Sequence, residues 1–529
     1  MCGGSRGSLR LLILAILCFA ARIGDGFRIL CVFPLTGKSH FIMGESLMRG
    51  LAERGHQVDV YSHFPLKKPP PNYRDYSLAG TLPLMVNNLT YQFLSTIMVQ
   101  GHSMSRMMST SGDNICEMLK LPIFQRLIKN PPKNPPYDLV ITELFVSNCY
   151  LAFGRHLDLP LVGLVSTSML DWLHDPLGNP HNPAVDTSIL SEYYRPATFI
   201  ERFGNFLTSI YIKYSFNYYV RSQDAYVKKY FGPGLPNVVE MQKDIDLVLV
   251  NYHHALSGIR VHTPAIVPVG GLHIVDTNET LPPSVQRFLD RSEHGFVYVS
   301  FGSMVRLETF PKHVLDVFYG AFAKIAPIRV LMKIVEPEEL PPGLPSNVIT
   351  RSWLPQIAVL KHKNIKAFVT HGGVMSTQES IYFGVPMVGI PLFGDQPFNV
   401  VAYVQKNLAV KLNWQNMSAT DLAKAIKMVI ENPIYKESTN KVSKLFRDVP
   451  MSPKNTSVFW VEFIARHGKR TLRHPLVDMP WWQASLLDIY AFLIFLILPV
   501  IYALKRIFTL TLSKLILQCQ SNRVKVKRN

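Results

Sequence analysis

The stretch from Phe368 to Ser380 reads FVTHGGVMSTQES, and in it an apolar run of strand character changes abruptly into the start of a helix. A helix that begins directly after a buried strand points free backbone N–H groups and the positive end of its dipole beyond the strand, which suits a phosphate. Gly372 and Gly373 would let such a ligand approach the backbone closely. A plain tight turn with a helix cap is the alternative, and two glycines alone would favour it.

The side chains around this turn have the chemistry that a nucleotide needs. His371 and Ser376 can donate hydrogen bonds to phosphoryl oxygens, and Glu379, one turn further along, can accept hydrogen bonds from two ribose hydroxyls. The stretch therefore predicts a phosphate-binding turn with a ribose-binding carboxylate beside it.

The same alternation of strands and helices extends outward over two halves of the chain, whose 529 residues suggest two to three domains. In the first half, FRILCVFPL predicts a buried strand, a helix ending near Gly55 follows, and QVDVYSHF predicts the next strand. The second half repeats the pattern with GFVYVSFGS, a helix from Pro311 to Ala326, RVLMKI, NVITRSW, KAFVT and VPMVGIP. Such βαβ units predict two parallel-sheet domains, whose ligands bind beyond the carboxyl ends of the strands.

Two long insertions interrupt the first half. Residues 69–136 and 171–234 are irregular, and the first of these segments is rich in methionine. We expect insertions of this kind to line a pocket for a hydrophobic ligand, with plain packing as the alternative.

An apolar run marks the N-terminus. LLILAILCFA follows Arg6 and Arg10, and it is too short to cross a bilayer. With small residues after it, this run predicts a cleaved signal peptide at residues 1–26. The alternative is an N-terminal anchor that stays in place.

A second apolar run lies near the C-terminus. Residues 484–504 are long enough to form a transmembrane helix, and Trp482 on one side and Lys505 on the other mark its two interfaces. A buried core helix is the alternative, but it would not explain the flanking aromatic and basic residues. We therefore predict a single span followed by a basic cytosolic tail at residues 505–529.

The formal net charge of +18 alone would suggest a nucleic-acid partner. The basic residues at 505–529 are instead placed as a membrane-topology signal without any acidic residue among them, so no nucleic-acid partner is expected. The final KVKRN resembles a dilysine retrieval signal, which predicts a single-pass type I protein of the endoplasmic reticulum membrane with its main domains in the lumen. Sequons agreeing with a lumenal glycoprotein occur at Asn88, Asn278, Asn416 and Asn455.

Few cysteines belong to the expected lumenal part. Cys31, Cys116 and Cys149 have no metal-ligand spacing, and we expect no disulfide framework from them.

The residues around the opening stretch follow an ordered pattern over more than forty positions. From the tryptophan of RSWLPQ onward they are Trp353, Gln356, Leu360, His362, Phe368, His371, Gly373, Ser376, Glu379, Gly384, Pro386, Pro391, Asp395 and Gln396. This order closely resembles the signature of the UDP-glycosyltransferases, a family of inverting enzymes that includes UDP-glucuronosyl- and UDP-glucosyltransferases. FVYVSFGS, the N-terminal βαβ start and the C-terminal anchor resemble the animal membrane-bound branch, so the resemblance covers nearly the whole chain.

The resemblance implies a GT-B fold of class α/β. Two Rossmann-like, doubly wound parallel-sheet domains would face a cleft, and one C-terminal transmembrane helix would follow them. Residues 27–280 would form the acceptor-binding domain, and residues 281–480 would form the UDP-sugar-binding domain.

The resemblance also implies roles for the donor-site residues. Trp353 would stack on uracil, Gln356 would help to hold the nucleoside, and Glu379 would bind the ribose. The diphosphate would contact Ser303 in the SFGS turn and the turn formed by His371, Gly373 and Ser376. The sugar hydroxyls would bind Asp395 and Gln396. Met375 departs from the small polar residue that the family often has near the phosphates.

On the acceptor side, His40 in LTGKSHF matches the general base of the family, which removes the proton from the acceptor hydroxyl. Glu143, in DLVITELF, takes the place of the aspartate that usually orients this histidine. A glutamate has the same charge and a longer arm, so a pair with His40 is expected, with a geometry that the sequence leaves open.

The predicted activity is inverting transfer of a hexose from a UDP-sugar to a hydroxyl of a small lipophilic acceptor. Glucose is favoured over glucuronate, a role in detoxification is expected, no metal or other cofactor is expected, and a homo- or hetero-oligomer is a further expectation. Two alternatives stay open. One is a catalytically impaired lumenal homologue that binds lipophilic ligands or active partners, and the other is a metal-dependent transferase.

Three other patterns point elsewhere and are set aside. Asp244 and Asp246 resemble a metal-binding pair, but entry into the strand LVLVN explains them better. His253 and His254 lack a third ligand at zinc spacing. The absence of a G-x-G-x-x-G motif argues against a dinucleotide oxidoreductase.

Overall fold

The computed structural model describes residues 26–100, 103–191, 193–275 and 279–526. The predicted signal peptide up to residue 25, the sequon at Asn278 and the end of the predicted retrieval signal lie outside these residues. The chain forms two compact units, one ending at Arg473 and one beginning at His474.

The first half contains a seven-stranded, all-parallel sheet in the order β3-β2-β1-β4-β5-β6-β7. Its strands are β1 (Arg28–Phe33), β2 (Gln57–Ser62), β3 (Tyr73–Ser77), β4 (Leu139–Glu143), β5 (Leu161–Val165), β6 (Ile245–Val250) and β7 (Ile266–Pro268). The strand order reverses between β1 and β4, and a crevice beyond the carboxyl ends of strands opens at such a reversal.

The second half repeats this plan with a six-stranded, all-parallel sheet in the order β10-β9-β8-β11-β12-β13. Its strands are β8 (Phe296–Ser300), β9 (Arg329–Lys333), β10 (Val348–Arg351), β11 (Ile365–Thr370), β12 (Met387–Gly389) and β13 (Ala409–Lys411). Here the order reverses between β8 and β11. The predicted fold class, two doubly wound parallel sheets, is confirmed.

Helices connect and cover these strands. In the first half they are α1 (Lys38–Glu53), α2 (Tyr91–Gln100), α3 (Met104–Met107), α4 (Asn114–Glu117), α5 (Pro122–Lys129), α6 (Ala152–His156), α7 (Phe199–Tyr219), α8 (Asp224–Phe231), α9 (Val238–Met241) and α10 (His254–Ser257). In the second half they are α11 (Pro283–Asp290), α12 (Lys312–Lys324), α13 (Gln356–Leu360), α14 (Val374–Tyr382), α15 (Gln396–Val404), α16 (Ala419–Glu431), α17 (Pro433–Arg447) and α18 (Pro453–His467). The unit that begins at His474 contains α19 (Trp481–Ala484) and α20 (Leu487–Val526).

The prediction that residues 69–136 and 171–234 are irregular is wrong. The first segment contains β3 and α2 to α5, and the second contains α7, which begins with a capping box between Thr198 and Glu201. The buried side of α7 includes Asn205 and Ser209, whereas its aromatic residues are largely exposed. This inverted distribution removes the apolar periodicity by which a helix is recognised in a sequence.

The helix α18 returns to the first half of the chain. Val458, Val461 and Ile464 lie in the same hydrophobic cluster as residues of β1, β2 and α1. At the crossing with α1, a Cβ added to Gly50 would lie only 3.1 Å from Val458. The domain bounds 27–280 and 281–480 stay predictions, but α18 packs with the N-terminal sheet although it follows the second sheet in sequence.

The C-terminal unit consists mainly of α20. This helix is long and apolar enough to cross a membrane. It begins at Leu487, and it extends through the predicted tail to Val526 rather than ending at residue 504.

A disulfide joins Cys116, in α4, to Cys149, shortly before α6, while Cys31 is a free, buried thiol in β1. The expectation that Cys31, Cys116 and Cys149 provide no disulfide framework is wrong in one respect, because two of them form this bond. The two cysteines belong to different supersecondary units, and only the packing of the insertion brings their Cα atoms to 5.9 Å.

Candidate active site

The reversal of strand order in the first sheet places His40 beside Glu143. His40 lies in the first turn of α1, shortly after β1, and Glu143 is the last residue of β4, the neighbouring strand. Nδ1 of His40 lies 2.6 Å from Oε1 of Glu143, so the longer arm of a glutamate does reach the imidazole. Because Nδ1–H donates to the carboxylate, Nε2 is the nitrogen that can accept a proton.

Ser166 contacts both members of this pair, and it was missed by the sequence analysis. It directly follows β5, and its hydroxyl lies 3.1 Å from Oε1 of Glu143 and 2.8 Å from Nδ1 of His40. The Ser166 carbonyl accepts a hydrogen bond from the Asn251 side chain at 2.9 Å, which fixes the loop. The position was detectable in principle, because residues that follow adjacent parallel strands meet at one edge of the sheet.

The charge of Glu143 decides the protonation behaviour of His40. Burial by itself lowers the pKa of His40, but the charge and hydrogen bond of Glu143 and the more distant charge of Asp395 raise it above its usual value of 6.5. The imidazole is partly exposed, with 20% of its side-chain surface accessible, and its ring centroid lies 5.1 Å from that of Phe145. The site therefore combines a basic nitrogen with an aromatic neighbour.

The corresponding point of the second sheet contains His371, which follows β11. Its imidazole is enclosed by glycines, because a Cβ added to Gly302 would lie 2.8 Å from the ring and one added to Gly373 would lie 2.7 Å from it. Burial first, and then the charge of Lys333, lower the pKa of His371 to about 4. His371 is therefore a neutral donor near neutral pH.

The helix α14 begins directly after Gly373, as the opening stretch predicts. Gln356 ties two predicted donor-site residues together, because its side-chain amide donates to Ser376 at 3.0 Å and to Glu379 at 2.6 Å. Burial raises the pKa of Glu379 to about 7, although the bond from Gln356 opposes that shift. Three residues predicted for the nucleoside and phosphate thus form one connected group.

Trp353 lies in the loop after β10, and 58% of its surface is exposed, so the residue is accessible to a ligand. The ammonium of Lys333 lies 5.8 Å from the centre of the Trp353 ring. Lys333 is the last residue of β9, and it was missed by the sequence analysis because RVLMKI reads as a plain strand. One signal could have identified it: Lys333 ends the strand that pairs with β8, the strand before the SFGS turn.

Asp395 lies at the start of α15. Burial raises the pKa of its carboxyl group, the hydrogen bond from Asn399 opposes the shift, and the charge of His40 opposes it further. Asp395 and His40 therefore lie near enough for the charge of each to affect the pKa of the other. The side-chain oxygen of Gln396 accepts bonds from the backbone N–H groups of residues 392 and 393, which fix the side chain.

The side chain of Met375 is apolar and cannot donate a hydrogen bond to a phosphate. Its partly buried side chain packs against the hydrophobic cluster of the first half, and its carbonyl lies 3.1 Å from Nε2 of His273 in the linker. The residue that departs from the family pattern therefore contributes to the packing between the two halves.

The patterns set aside in the sequence have structural partners. Asp244 pairs with Arg155, with 2.7 Å between Oδ1 and Nη2. Asp246 accepts bonds from the backbone N–H groups of Leu161 and Arg470. Within the described residues, no cluster of three or more histidine, cysteine or acidic side chains could hold a metal ion.

Comparisons with known proteins agree with this arrangement. The family described as "UDP-glucoronosyl and UDP-glucosyl transferase" matches residues 32–521. UDP-glucosyltransferase 2 of Dactylopius coccus is 35% identical over 92% of this chain and 93% of its own length. UDP-glucuronosyltransferase 2B19 of Macaca fascicularis is 30% identical over 94% of this chain and 95% of its own length.

Solved structures support the fold. The glycosyltransferase of kitacinnamycin superposes with a TM-score of 0.57 at 19% identity, covering 83% of this chain and 98% of that one. Glycosyltransferase VinC in complex with dTDP superposes with a TM-score of 0.54 at 16% identity, covering 84% and 100%. Together with the family match and the 35% identical relative, these findings show that the chain belongs to the UDP-glycosyltransferase family and is a UDP-sugar glycosyltransferase of GT-B fold.

Proposed function

We propose that this enzyme transfers a hexose from a UDP-sugar to a hydroxyl of a small lipophilic acceptor, with inversion at the anomeric carbon and with His40 as the general base. The observation that supports this mechanism is the His40–Glu143 pair, whose 2.6 Å contact leaves Nε2 as the basic nitrogen. The electrostatic influence of Asp395 on His40 supports an acceptor site that opens towards the donor site.

The proposed reaction is a single displacement. Nε2 of His40 takes the acceptor proton as the acceptor oxygen forms a bond to the anomeric carbon, and the bond from that carbon to the UDP oxygen breaks. Glu143 stabilises the imidazolium that forms. The start of α14, with His371 and Ser303, stabilises the negative charge that grows on the departing diphosphate, and no metal is needed for this step.

For the donor, we propose glucose in preference to glucuronate. The 35% identical relative is named a UDP-glucosyltransferase, whereas the relatives named glucuronosyltransferases are about 30% identical. The uncharged side chain of Gln396 is compatible with the uncharged hydroxyls of glucose. Competition between labelled UDP-glucose and UDP-glucuronate for the same acceptor tests this preference, and faster glucuronate transfer would reverse it.

For the acceptor and the location, we propose phenols or steroid-like alcohols, converted in the lumen of the endoplasmic reticulum as part of detoxification. A cleaved signal peptide, glycosylated sequons and the span in α20 belong to the same proposal. Protection of the main domains from protease in sealed microsomes, together with sensitivity to an endoglycosidase, tests the orientation. Digestion without detergent would contradict it.

The experiment that tests the proposed function is an incubation of microsomes containing the full chain with labelled UDP-sugars and a panel of phenols. Transfer that yields the β-linked conjugate and persists in EDTA is the expected result. UDP binding without transfer to any acceptor would favour the impaired homologue, and loss of transfer in EDTA would favour a metal-dependent enzyme.

A further inference from the structure

A segment of the first half links the two sites through backbone hydrogen bonds. We call residues 85–89 the strap. At one end, the N–H of Met85 donates to the carbonyl of Thr36, in the loop that leads to His40. At the other end, the N–H of Asn87 donates to the carbonyl of Ser303 at 2.8 Å, in the turn predicted to contact the diphosphate. The strap therefore belongs to the acceptor half but borders the donor site.

The strap also contacts Lys333. The ammonium of Lys333 donates to the carbonyl of Gly302 at 2.7 Å and to the side-chain oxygen of Asn87 at 3.1 Å. These bonds use two of its three N–H groups, and the ammonium lies near the exposed ring of Trp353. The third N–H remains for a ligand, on an ammonium that is bonded to the carbonyl of Gly302 in the SFGS turn.

The positive charge at this turn comes from Lys333 rather than from His371. Burial and the neighbouring ammonium keep His371 neutral, so the imidazole can donate a hydrogen bond but contributes no net charge. A diphosphate carries negative charge that increases as it departs. A fixed ammonium stabilises such a group more strongly than neutral donors do.

We propose that Lys333 binds the diphosphate of the UDP-sugar and that Asn87, supplied by the other half through the strap, is the residue that positions it. This inference rests on the proposed function and adds two residues to the donor site. Because the strap is bonded to Thr36 as well, the donor contact and the loop before His40 are held by one short segment.

The electrostatics of Lys333 give this proposal a distinct pH signature. Burial lowers the pKa of Lys333 to about 8, and the charge of Glu308 partly opposes that shift. Below this pH the ammonium is charged, and above it the charge is lost. Donor affinity should therefore fall as the pH rises through about 8, with His371 neutral throughout that range.

The first test measures the donor KM and kcat of the full chain in microsomes for Lys333→Met and Lys333→Arg. A hydrogen bond to a charged group contributes about 1.5–3 kcal/mol, so Lys333→Met should raise the donor KM about 10–100-fold. Lys333→Arg should keep most of the affinity and abolish the decline above pH 8. An unchanged donor KM and an unchanged alkaline limb in Lys333→Met would overturn the proposal.

The second test addresses Asn87, whose φ of 52° lies in the left-handed region that glycine adopts without strain. Asn87→Gly should raise the donor KM several-fold and move the alkaline limb to lower pH, because the ammonium loses an acceptor. Asn87→Asp should move the limb to higher pH. If Asn87 has only a structural role, both variants should leave the alkaline side of the pH profile where it is. That outcome would overturn the positioning role of Asn87.

Asn72→Gly is the matched control, because Asn72 is exposed, has a φ of 65° and lies at the turn before β3. It should leave the donor KM and the alkaline limb unchanged. The failures of the two proposals are distinguishable. Wild-type protein that transfers no sugar contradicts the proposed function, whereas normal transfer with insensitive Lys333 and Asn87 variants contradicts this inference alone.

Discussion

His40 and His371 lie at the points where the two sheets reverse their strand order, yet their surroundings push their pKa values in opposite directions. Glu143 and Asp395 raise the pKa of His40 against the effect of burial. Burial and the ammonium of Lys333 lower the pKa of His371 to about 4. One fold plan, used twice, therefore contains an imidazole with a raised pKa in one half and a neutral imidazole in the other, because the charge beside each ring differs in sign.

Removal of the proposed base, His40, should have the largest effect on activity. His40→Ala should reduce kcat about 10²–10⁴-fold, because that is the usual contribution of a positioned general base. Binding of UDP, followed by calorimetry, should change little, since the proposed role of His40 is to act on the acceptor hydroxyl. His313→Ala, at an exposed position of α12, is the control. Equal loss of transfer and UDP binding would contradict the division of roles.

Removal of the second histidine should affect the donor instead. His371→Ala should lower kcat/KM for the donor about 10–100-fold, because a hydrogen bond to a charged phosphoryl group is lost. The acid limb of the pH profile should stay where it is, since His371 is neutral over that range. A displaced acid limb would mean that the two histidines do not have separate roles.

The exposed indole should contribute a smaller amount. Stacking of a base on an aromatic ring is worth about 1–3 kcal/mol, so Trp353→Ala should raise the donor KM about 5–100-fold with little change in kcat. Trp353→Phe keeps a flat face and should lose less. An unchanged donor KM in Trp353→Ala would count against stacking.

Substitution of Ser166 should have the smallest effect, because this residue contacts His40 and Glu143 but does not take over the role of either. Ser166→Ala should lower kcat a few-fold and leave the donor KM unchanged, since the hydroxyl orients the carboxylate. Ser166→Thr keeps the hydroxyl and should restore most of the rate. A change confined to the donor KM would place Ser166 outside the acceptor site.

Much of this arrangement was predictable because parallel strands bring residues that follow them to one edge. The strand runs, the turn at His371 and the pairing of His40 with Glu143 follow from that rule and from the family resemblance. Ser166 and Lys333 also follow strands, but their importance depends on which strands are neighbours. That order is set by long-range pairing, which local patterns do not reveal.

Other features had no local signal. Asn87 lies in an insertion, and its contact with Lys333 spans 246 positions of the sequence. The helix α7 lacks a clear apolar periodicity in the sequence, because its buried side is partly polar. The return of α18 to the first sheet is visible only as hydrophobic packing between segments that are distant in sequence.

The most direct test of the account compares the pH dependence of kcat/KM in the wild-type enzyme and in Glu143→Gln, with Glu143→Asp as the charge-conserving control. The base must be unprotonated, so activity falls as the pH drops through the pKa of His40, which Glu143 raises. Glu143→Gln should therefore lower the rate and move the acid limb to lower pH, whereas Glu143→Asp should keep the limb nearer to its wild-type position. An acid limb that stays in place in Glu143→Gln would contradict the claim that this carboxylate makes His40 the base.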